Sequence, residues 1–373
     1  MKVLHIMWDE KFKKGVVEFY NTFFNNGEHE ICYLNKPGCV SLIEQECTIP
    51  QKELLDTKTL ADTSKFISEC KKYDYIVIHS YRIGVLPTLI LLLNGKLRKK
   101  LVWIAWGFDL YVNKPKLSDL RGQIRLWTSE LMKAHIPHFV GIFPPDCDYF
   151  KSKYPKSKAN IYHAPYCSAR ISPEFFNYTE KSRLEKTRED NDTIYIQIGH
   201  CAQKQLNHIA ALKMLERWKD KDIKLFIPLS YGNTEYADEV QEYAERMFPG
   251  KTVILREMMP AEDYFELTKR IDIAIFNTPR QCGLSNIMRL AFRNVKIYML
   301  EEGVMYKFFK ERGVPIQSCR QLCEQRFEEF ITPAAVKEKE NFAEFLSYLS
   351  DINCQADLWK KIYDCLRGLL END

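Results

Sequence analysis

At 373 residues, with 46% hydrophobic and 28% charged side chains, the chain has a globular composition and exceeds the size at which one core stops growing, which predicts two domains. A net charge of only +4 excludes a dedicated nucleic-acid binder, whose basic excess is far larger. Twelve cysteines stand singly, without paired zinc-type spacing, and read as reduced core thiols of a cytosolic chain.

The N-terminal "MKVLHIMWDEKF" is charged too early for a signal peptide and reads as a first strand. Short apolar runs then alternate with amphipathic stretches: "VLHIM", helical "GVVEFYNTFFNN", "HEICYL", helical "LADTSKFISECKKY", "YIVIHS", "LPTLILLLNGKL" and "KLVWIAWG". Strands followed by helices at this spacing predict a parallel sheet wound by helices. The stretch from Cys167 to Asp192 is dense in charge and turn residues, and the pattern restarts after it with "TIYIQIG", "NHIAALKMLERW", "IKLFIPLS" and "EYADEVQEYAERMF". It continues through "TVILRE", "PAEDYFELTKRI", "IDIAIFN", "LSNIMRLAFRN" and "VKIYML". The expected organisation is a Rossmann-like domain over 1–170, a linker over 171–192, a second Rossmann-like domain over 193–336, and C-terminal helices over 337–373. In that tail Phe342, Phe345, Leu346, Leu349, Leu358, Ile362 and Leu366 are expected to pack across domains.

Ligands of open α/β sheets sit beyond the carboxyl ends of the strands, so those loops select the candidate residues. In "IQIGHCAQKQLNHIAAL", Gly199 permits close backbone approach, Asn207 is placed to cap a helix, and His200 or the exposed amides can meet a phosphate. The loop lacks the spacing of a dinucleotide or P-loop site, and a simple turn is the alternative. In "PLSYGNTEYADEV", Pro228 ends a strand and Tyr231 can offer a ring or hydroxyl. In "LREMMPAEDYFEL", Met258 and Met259 suit a nucleobase cradle. The fourth loop, "FNTPRQCGLSNIMRL", gathers Asn277, Arg280, Gln281, Gly283, Ser285 and Asn286 ahead of a helix. A departing diphosphate accumulates negative charge that a permanent cation and fixed donors hold, and Arg280, Gln281 and the amides near Gly283 supply both.

These loops in order, with "WIAWGFDLY" upstream, resemble the TDP-N-acetylfucosamine:lipid II N-acetylfucosaminyltransferase family, also called the 4-alpha-L-fucosyltransferase family, glycosyltransferase family 56. The similarity runs from about Trp103 to about Leu300. The resemblance implies a GT-B fold with two Rossmann-like domains facing a cleft, and transfer of Fuc4NAc from a TDP-sugar to a lipid-linked saccharide in enterobacterial common antigen synthesis. It also implies metal-independent chemistry without a cofactor, and peripheral attachment to the inner face of the cytoplasmic membrane. Residue by residue it assigns nucleotide-sugar binding to Gly199, Asn207, His208, Pro228, Tyr231, Arg280, Gln281 and Gly283. Ser285 departs from the family, which is expected to carry a second glycine there. A non-transferring enzyme of the same fold, epimerase-like, and a non-catalytic bilobal binding protein are the alternatives.

An acceptor hydroxyl needs a base within hydrogen-bond reach. Asp109, after the strand ending at Trp106, is open to base, sugar-binding or structural roles, and Asp9, Glu10 and His79 also follow strands. Of the aspartate pairs spaced one apart, only Asp146 with Asp148 stands near a strand end, as a metal-dependent transferase would require. The apolar "LPTLILLL" is short of the roughly 20 residues of a membrane span, but Lys96, Arg98, Lys99 and Lys100 follow it and suit an anionic lipid surface, as does "KFKK" at 11–14.

Overall fold

The computed structural model describes residues 1–8, 12–35, 48–55, 57–112, 118–167, 193–293, 295–314, 316–333 and 351–371. The chain divides into two compact units, Met1–Ser172 with Asp351–Asp373, and Pro173–Ser350.

The first unit is built on seven parallel strands: β1 (Val3–Met7), β2 (His29–Asn35), β3 (Gln51–Leu55), β4 (Tyr75–His79), β5 (Leu101–Ala105), β6 (His138–Gly141) and β7 (Asn160–His163). Their order is β3-β2-β1-β4-β5-β6-β7. Every residue of β1, β4 and β5 is buried, as strands covered on both faces require, and this is why they read as unbroken apolar runs. On one face, helices Leu60–Cys70, Val85–Leu93, Leu120–Ala134 and Pro144–Lys153 bring Phe66, Leu91, Met132 and Phe150 against Ile76, Ile78 and Trp103. On the other, Val16 and Phe19 of helix Lys13–Phe23 pack with Val3, Val77 and Val102.

The C-terminal helix Ile352–Glu371 belongs to this second face, where Trp359, Ile362, Tyr363 and Leu366 are buried. Polar bonds fix its register: Trp359 Nε1 donates to the Pro165 oxygen at 2.9 Å, Tyr75 Oη to the Leu366 oxygen at 2.9 Å, and Tyr363 Oη meets Tyr20 Oη at 2.7 Å. Of the tail residues expected to pack, Phe342, Phe345, Leu346 and Leu349 lie outside the described residues.

The second unit holds β8 (Ile194–Ile198), β9 (Ile223–Pro228), β10 (Thr252–Leu255), β11 (Ile273–Phe276), β12 (Lys296–Met299) and β13 (Ile316–Ser318). These are again parallel, in the order β10-β9-β8-β11-β12-β13. Ile196, Ile198, Leu225, Ile227, Ile273 and Ile275 meet Leu212, Leu215, Val240 and Ala244 from helices His208–Leu215 and Thr234–Met247. Side-chain caps start several helices, as when Asn233 Oδ1 accepts from the Tyr236 amide at 2.7 Å.

Among the described residues seven cysteines are buried, Cys323, Cys354 and Cys365 are exposed, and all are free thiols. Among them too, no helix is long and apolar enough to cross a membrane.

Candidate functional site

In the second unit the chain runs outward from β8 to β9 and β10 on one side, and from β11 to β12 and β13 on the other. The sheet therefore has its topological switch point between β8 and β11, where ligands of open α/β sheets bind. The loops leaving these two strands are the first and fourth of those selected from the sequence.

The β8 loop is shaped by glycine. Gly199 has φ +63°, and a Cβ there would stand 2.5 Å from His208 Nε2. Buried Gln197 secures the strand end by donating to the Gly199 oxygen at 2.9 Å. His200 is buried, with Nε2 3.5 Å from Cys201 Sγ. A short bridge then zips this loop to the one after β9: the Ala202 amide donates to the Tyr231 oxygen, and the Asn233 amide to the Ala202 oxygen, both at 2.8 Å. Gly232 makes this approach feasible, since a Cβ there would lie 2.5 Å from the Ala202 oxygen.

Asn207 does not cap its helix as the sequence suggests. It sits at φ +47°, its side chain makes no capping bond, and its Nδ2 donates to the Asn277 oxygen at 3.0 Å. The residue thereby ties the β8 loop to the β11 loop across the switch point. His208 is buried against Tyr236, with burial lowering its pKa to about 4, and neither ring nitrogen has a partner among the described residues. It packs beneath Gly199.

In the β11 loop Asn277, Thr278, Arg280 and Gln281 are all buried. Arg280 is only 5% exposed, yet it has no carboxylate partner among the described residues. Its Nη2 donates to Gln203 Oε1, and its Nε finds no acceptor among the described residues. Burying a cation costs free energy unless an anion accompanies it. Beside it, Gly283 at φ +65° opens the helix Leu284–Phe292, whose first turn holds no acid and no side-chain cap. Ile287, Met288, Leu290 and Ala291 bury this helix, while Ser285 stands exposed at its start and Asn286 is half-buried. The amides at its N-terminus have no intrahelical acceptor and carry the positive end of the helix dipole.

The other sequence candidates fall elsewhere. Pro228 is buried at the end of β9, paired with Leu255, and Tyr231 is partly exposed with its ring 6.3 Å from that of His200. Met258 and Met259 follow β10, the outer strand and two strands from the switch point, with Met258 exposed.

The first unit repeats the topology, with its switch point between β1 and β4. Asp9 and Glu10 lie outside the described residues. Asp109 is held by three donors: its buried carboxylate accepts from the Tyr81 amide at 2.8 Å, Trp103 Nε1 at 2.6 Å and the Trp106 amide at 2.8 Å. Of the roles left open by the sequence, this geometry matches the structural one. The Asp146 and Asp148 pair is divided by its helix. Asp146 is buried, accepting from Tyr111 Oη at 2.9 Å, while Asp148 is exposed beside Lys151 at 3.6 Å.

His79 is buried within a chain of rings. His29 Nδ1 lies 2.9 Å from His5 Nε2, His5 Nδ1 3.0 Å from His79 Nε2, and His79 Nδ1 3.1 Å from Tyr166 Oη. Burial pushes the pKa of His29 down to about 4 and of His79 to about 3, and that of His5 well below the ordinary value. At the exit of β4, Ser80 takes φ +66° while fully buried, with Oγ unpartnered among the described residues. Arg82 lies over Trp8 at 4.4 Å, Phe108 at 5.4 Å and Trp106 at 5.8 Å, and Trp106 stacks edge-on with Phe12 and Tyr166. Sequence reading missed this aromatic cluster and Gln203. The same strand-end rule, applied to "HSYR" after β4, points to Ser80 and Arg82.

A family model described as 4-alpha-L-fucosyltransferase, glycosyl transferase group 56, matches residues 17–351. The chain belongs to the 4-alpha-L-fucosyltransferase family. It is a glycosyltransferase, which sets aside the non-transferring and binding-protein alternatives. Solved structures agree at the level of fold. HepE of Anabaena in complex with UDP aligns with a TM-score of 0.64 at 11% identity, covering 99% of this chain and 100% of that one. A glycosyltransferase from Rickettsia africae aligns at 0.66 and 14% identity, covering 100% and 99%. Sucrose-phosphate synthase from Thermosynechococcus elongatus aligns at 0.70 and 10% identity, covering both chains fully. The family member described here thus carries the GT-B fold.

Proposed function

We propose that this glycosyltransferase moves a deoxy-acetamido sugar of the Fuc4NAc kind from a TDP-sugar to a lipid-linked saccharide in bacterial surface polysaccharide synthesis, the enterobacterial common antigen being the specific case. The observation that carries the donor half is buried Arg280, without an acidic partner among the described residues, beside the uncapped helix Leu284–Phe292 at the β8/β11 switch point. A buried guanidinium beside unbonded helix-terminal amides has the chemistry of an anion site. HepE has been solved with UDP and with UDP-glucose, which supports a nucleotide diphosphate as that anion here.

In this reading the glycosidic C–O bond to the diphosphate breaks as the acceptor hydroxyl attacks. Arg280, Gln281 and the amides of Leu284 to Asn286 hold the charge that accumulates on the leaving group, work that needs no resident metal. Gly199 and Gly283 let the two loops approach the phosphates, with His200 between them, and Asn207 holds the loops together. His208 and Pro228 support the wall, Tyr231 flanks the sugar, and Met258 and Met259 are assigned to the base. The first unit takes the acceptor on the aromatic cluster of Trp8, Trp106 and Phe108, and Asp9 or Glu10 removes its proton. The lipid-linked acceptor places the protein peripherally on the inner face of the cytoplasmic membrane.

Titration calorimetry with TDP, UDP, GDP and AMP, followed by mass analysis of product from TDP-sugars and a lipid-linked disaccharide, tests this reading. Preferential TDP binding and a product heavier by one deoxy-acetamido hexose are expected. Binding of TDP no tighter than AMP removes the donor assignment.

A further inference from the structure

Helix Leu120–Ala134 is amphipathic in the wrong sense for a core helix. It buries Thr128, Met132 and Lys133, the last with Nζ 2.6 Å from the Asp109 oxygen, while Leu120, Ile124 and Trp127 face solvent. These three recur at helical spacing, so they form one stripe. Their exposures are 70%, 46% and 63%, whereas a solvated helix face ordinarily carries polar residues. The neighbouring helix Val85–Leu93 packs against it, and both insert into the same core through Leu91 and Met132. Its outer side carries half-buried Leu86, Leu89 and Ile90, then Leu93 at 87% exposure. Two adjacent helices thus leave a shared apolar surface uncovered, and clustered apolar exposure of this kind marks an interaction surface.

The charge around the surface selects the occupant. No acidic residue occurs from Tyr75 to Phe108, a span that includes Arg82, Lys96, Arg98, Lys99 and Lys100. Lys96 is exposed just beyond Leu93, and Arg121 and Arg125 are exposed beside the Leu120 stripe. Leucine and isoleucine side chains with an interfacial tryptophan, flanked by an excess of cations, complement a bilayer of anionic lipid. The acids nearest the stripe are already engaged, Asp119 accepting from the Gly122 amide at the helix start and Glu130 pairing with Lys133 and Lys153, so the face keeps an excess of positive charge.

We infer that the outer face of helices Val85–Leu93 and Leu120–Ala134 is the surface by which this protein docks on an anionic membrane, with Leu93, Leu120, Ile124 and Trp127 entering the headgroup region. The inference names the docking face for the peripheral attachment proposed above and rests on that attachment.

The test is cosedimentation of the full chain with vesicles of phosphatidylcholine containing phosphatidylglycerol, against phosphatidylcholine alone. The variant L120S/I124S/W127S is expected to lose about tenfold or more in partitioning. The variant R121Q/R125Q is expected to lose roughly fivefold per arginine on anionic vesicles only, an effect erased by salt. TDP affinity, read by calorimetry, serves as the folding control and is expected to stay unchanged in both. If the wild type binds anionic vesicles and the triple variant binds equally well, this face is wrong while peripheral attachment stands. If the wild type does not bind, attachment itself fails. A wild type that self-associates without binding vesicles, with the triple variant monomeric, makes the surface an interface between copies and overturns the inference.

Discussion

Gly283 and His200 are in direct contact: a Cβ built on Gly283 would lie 2.7 Å from His200 Nδ1, and the residue already holds φ +65°. The loops leaving β8 and β11 are therefore packed backbone against ring, with no room for a side chain between them. Gly283→Ala combines left-handed strain with this clash. The expected result is a loss of about tenfold or more in nucleotide diphosphate affinity by calorimetry, with a stability loss of about 1–3 kcal/mol by thermal unfolding. An alanine variant that binds TDP as the wild type does would separate this loop from the donor site.

Arg280 offers a test in which binding and stability move apart. Its guanidinium is buried with a neutral carboxamide, that of Gln203, as its hydrogen-bond partner. Removing the cation relieves an uncompensated charge, so Arg280→Met is expected to leave the unfolding midpoint unchanged or raised. TDP affinity is expected to fall by about tenfold to a hundredfold, from the loss of charge-assisted hydrogen bonds worth about 1.5–3 kcal/mol, while thymidine binding barely changes. Equal losses for the nucleoside and the diphosphate would place Arg280 away from the phosphates.

Much of this architecture is legible in sequence because parallel strands buried on both faces are continuous apolar runs, as in β1, β4, β5 and β11. Edge strand β3 is not legible. Its Lys52 is held by Glu30 at 2.6 Å and by Glu69, so a charged residue occupies a position that pattern reading gives to a loop. Helix Leu120–Ala134 escapes the same reading because it buries a lysine and exposes a tryptophan. At the site, strand-end position was enough to select Gly199, Arg280 and Gly283. What the sequence does not display is partnership: the bond from Asn207 to Asn277 and the pairing of Arg280 with Gln203 join residues that only the sheet order brings together.

The ring chain through the first unit predicts acid sensitivity. His5, His29 and His79 are held neutral by burial, each with a pKa below its ordinary value. The unfolded chain takes up protons on these groups below its ordinary histidine pKa of about 6.5, whereas the folded chain does not. Their contribution is therefore complete above about pH 6.5 and is lost as pH falls toward 4 and below, at roughly 1.4 kcal/mol per histidine per pH unit. Urea unfolding at a series of pH values, followed through the first unit, is expected to show stability rising from about pH 4.5 to 6.5 and then levelling. A flat profile across that window would mean that these rings are protonated in the folded chain.

Asp109 separates a structural carboxylate from a catalytic one. Oδ2 accepts from the Tyr81 amide and Trp103 Nε1, Oδ1 from the Trp106 amide, so one residue in the turn after β5 fastens that turn to β5 and to the exit of β4. Lys133 ties helix Leu120–Ala134 to the same turn, its Nζ donating to the Asp109 backbone oxygen at 2.6 Å. Asp109→Asn preserves shape but turns one acceptor into a donor that faces an N–H, leaving buried donors unsatisfied. The expected cost is about 2–4 kcal/mol in thermal or urea unfolding. Turnover per folded molecule, measured well below the lowered midpoint, is expected to stay near that of the wild type, because the buried carboxylate is engaged by three donors of its own turn and strands. Collapse of kcat at unchanged stability would instead make Asp109 the base and remove that role from Asp9 and Glu10.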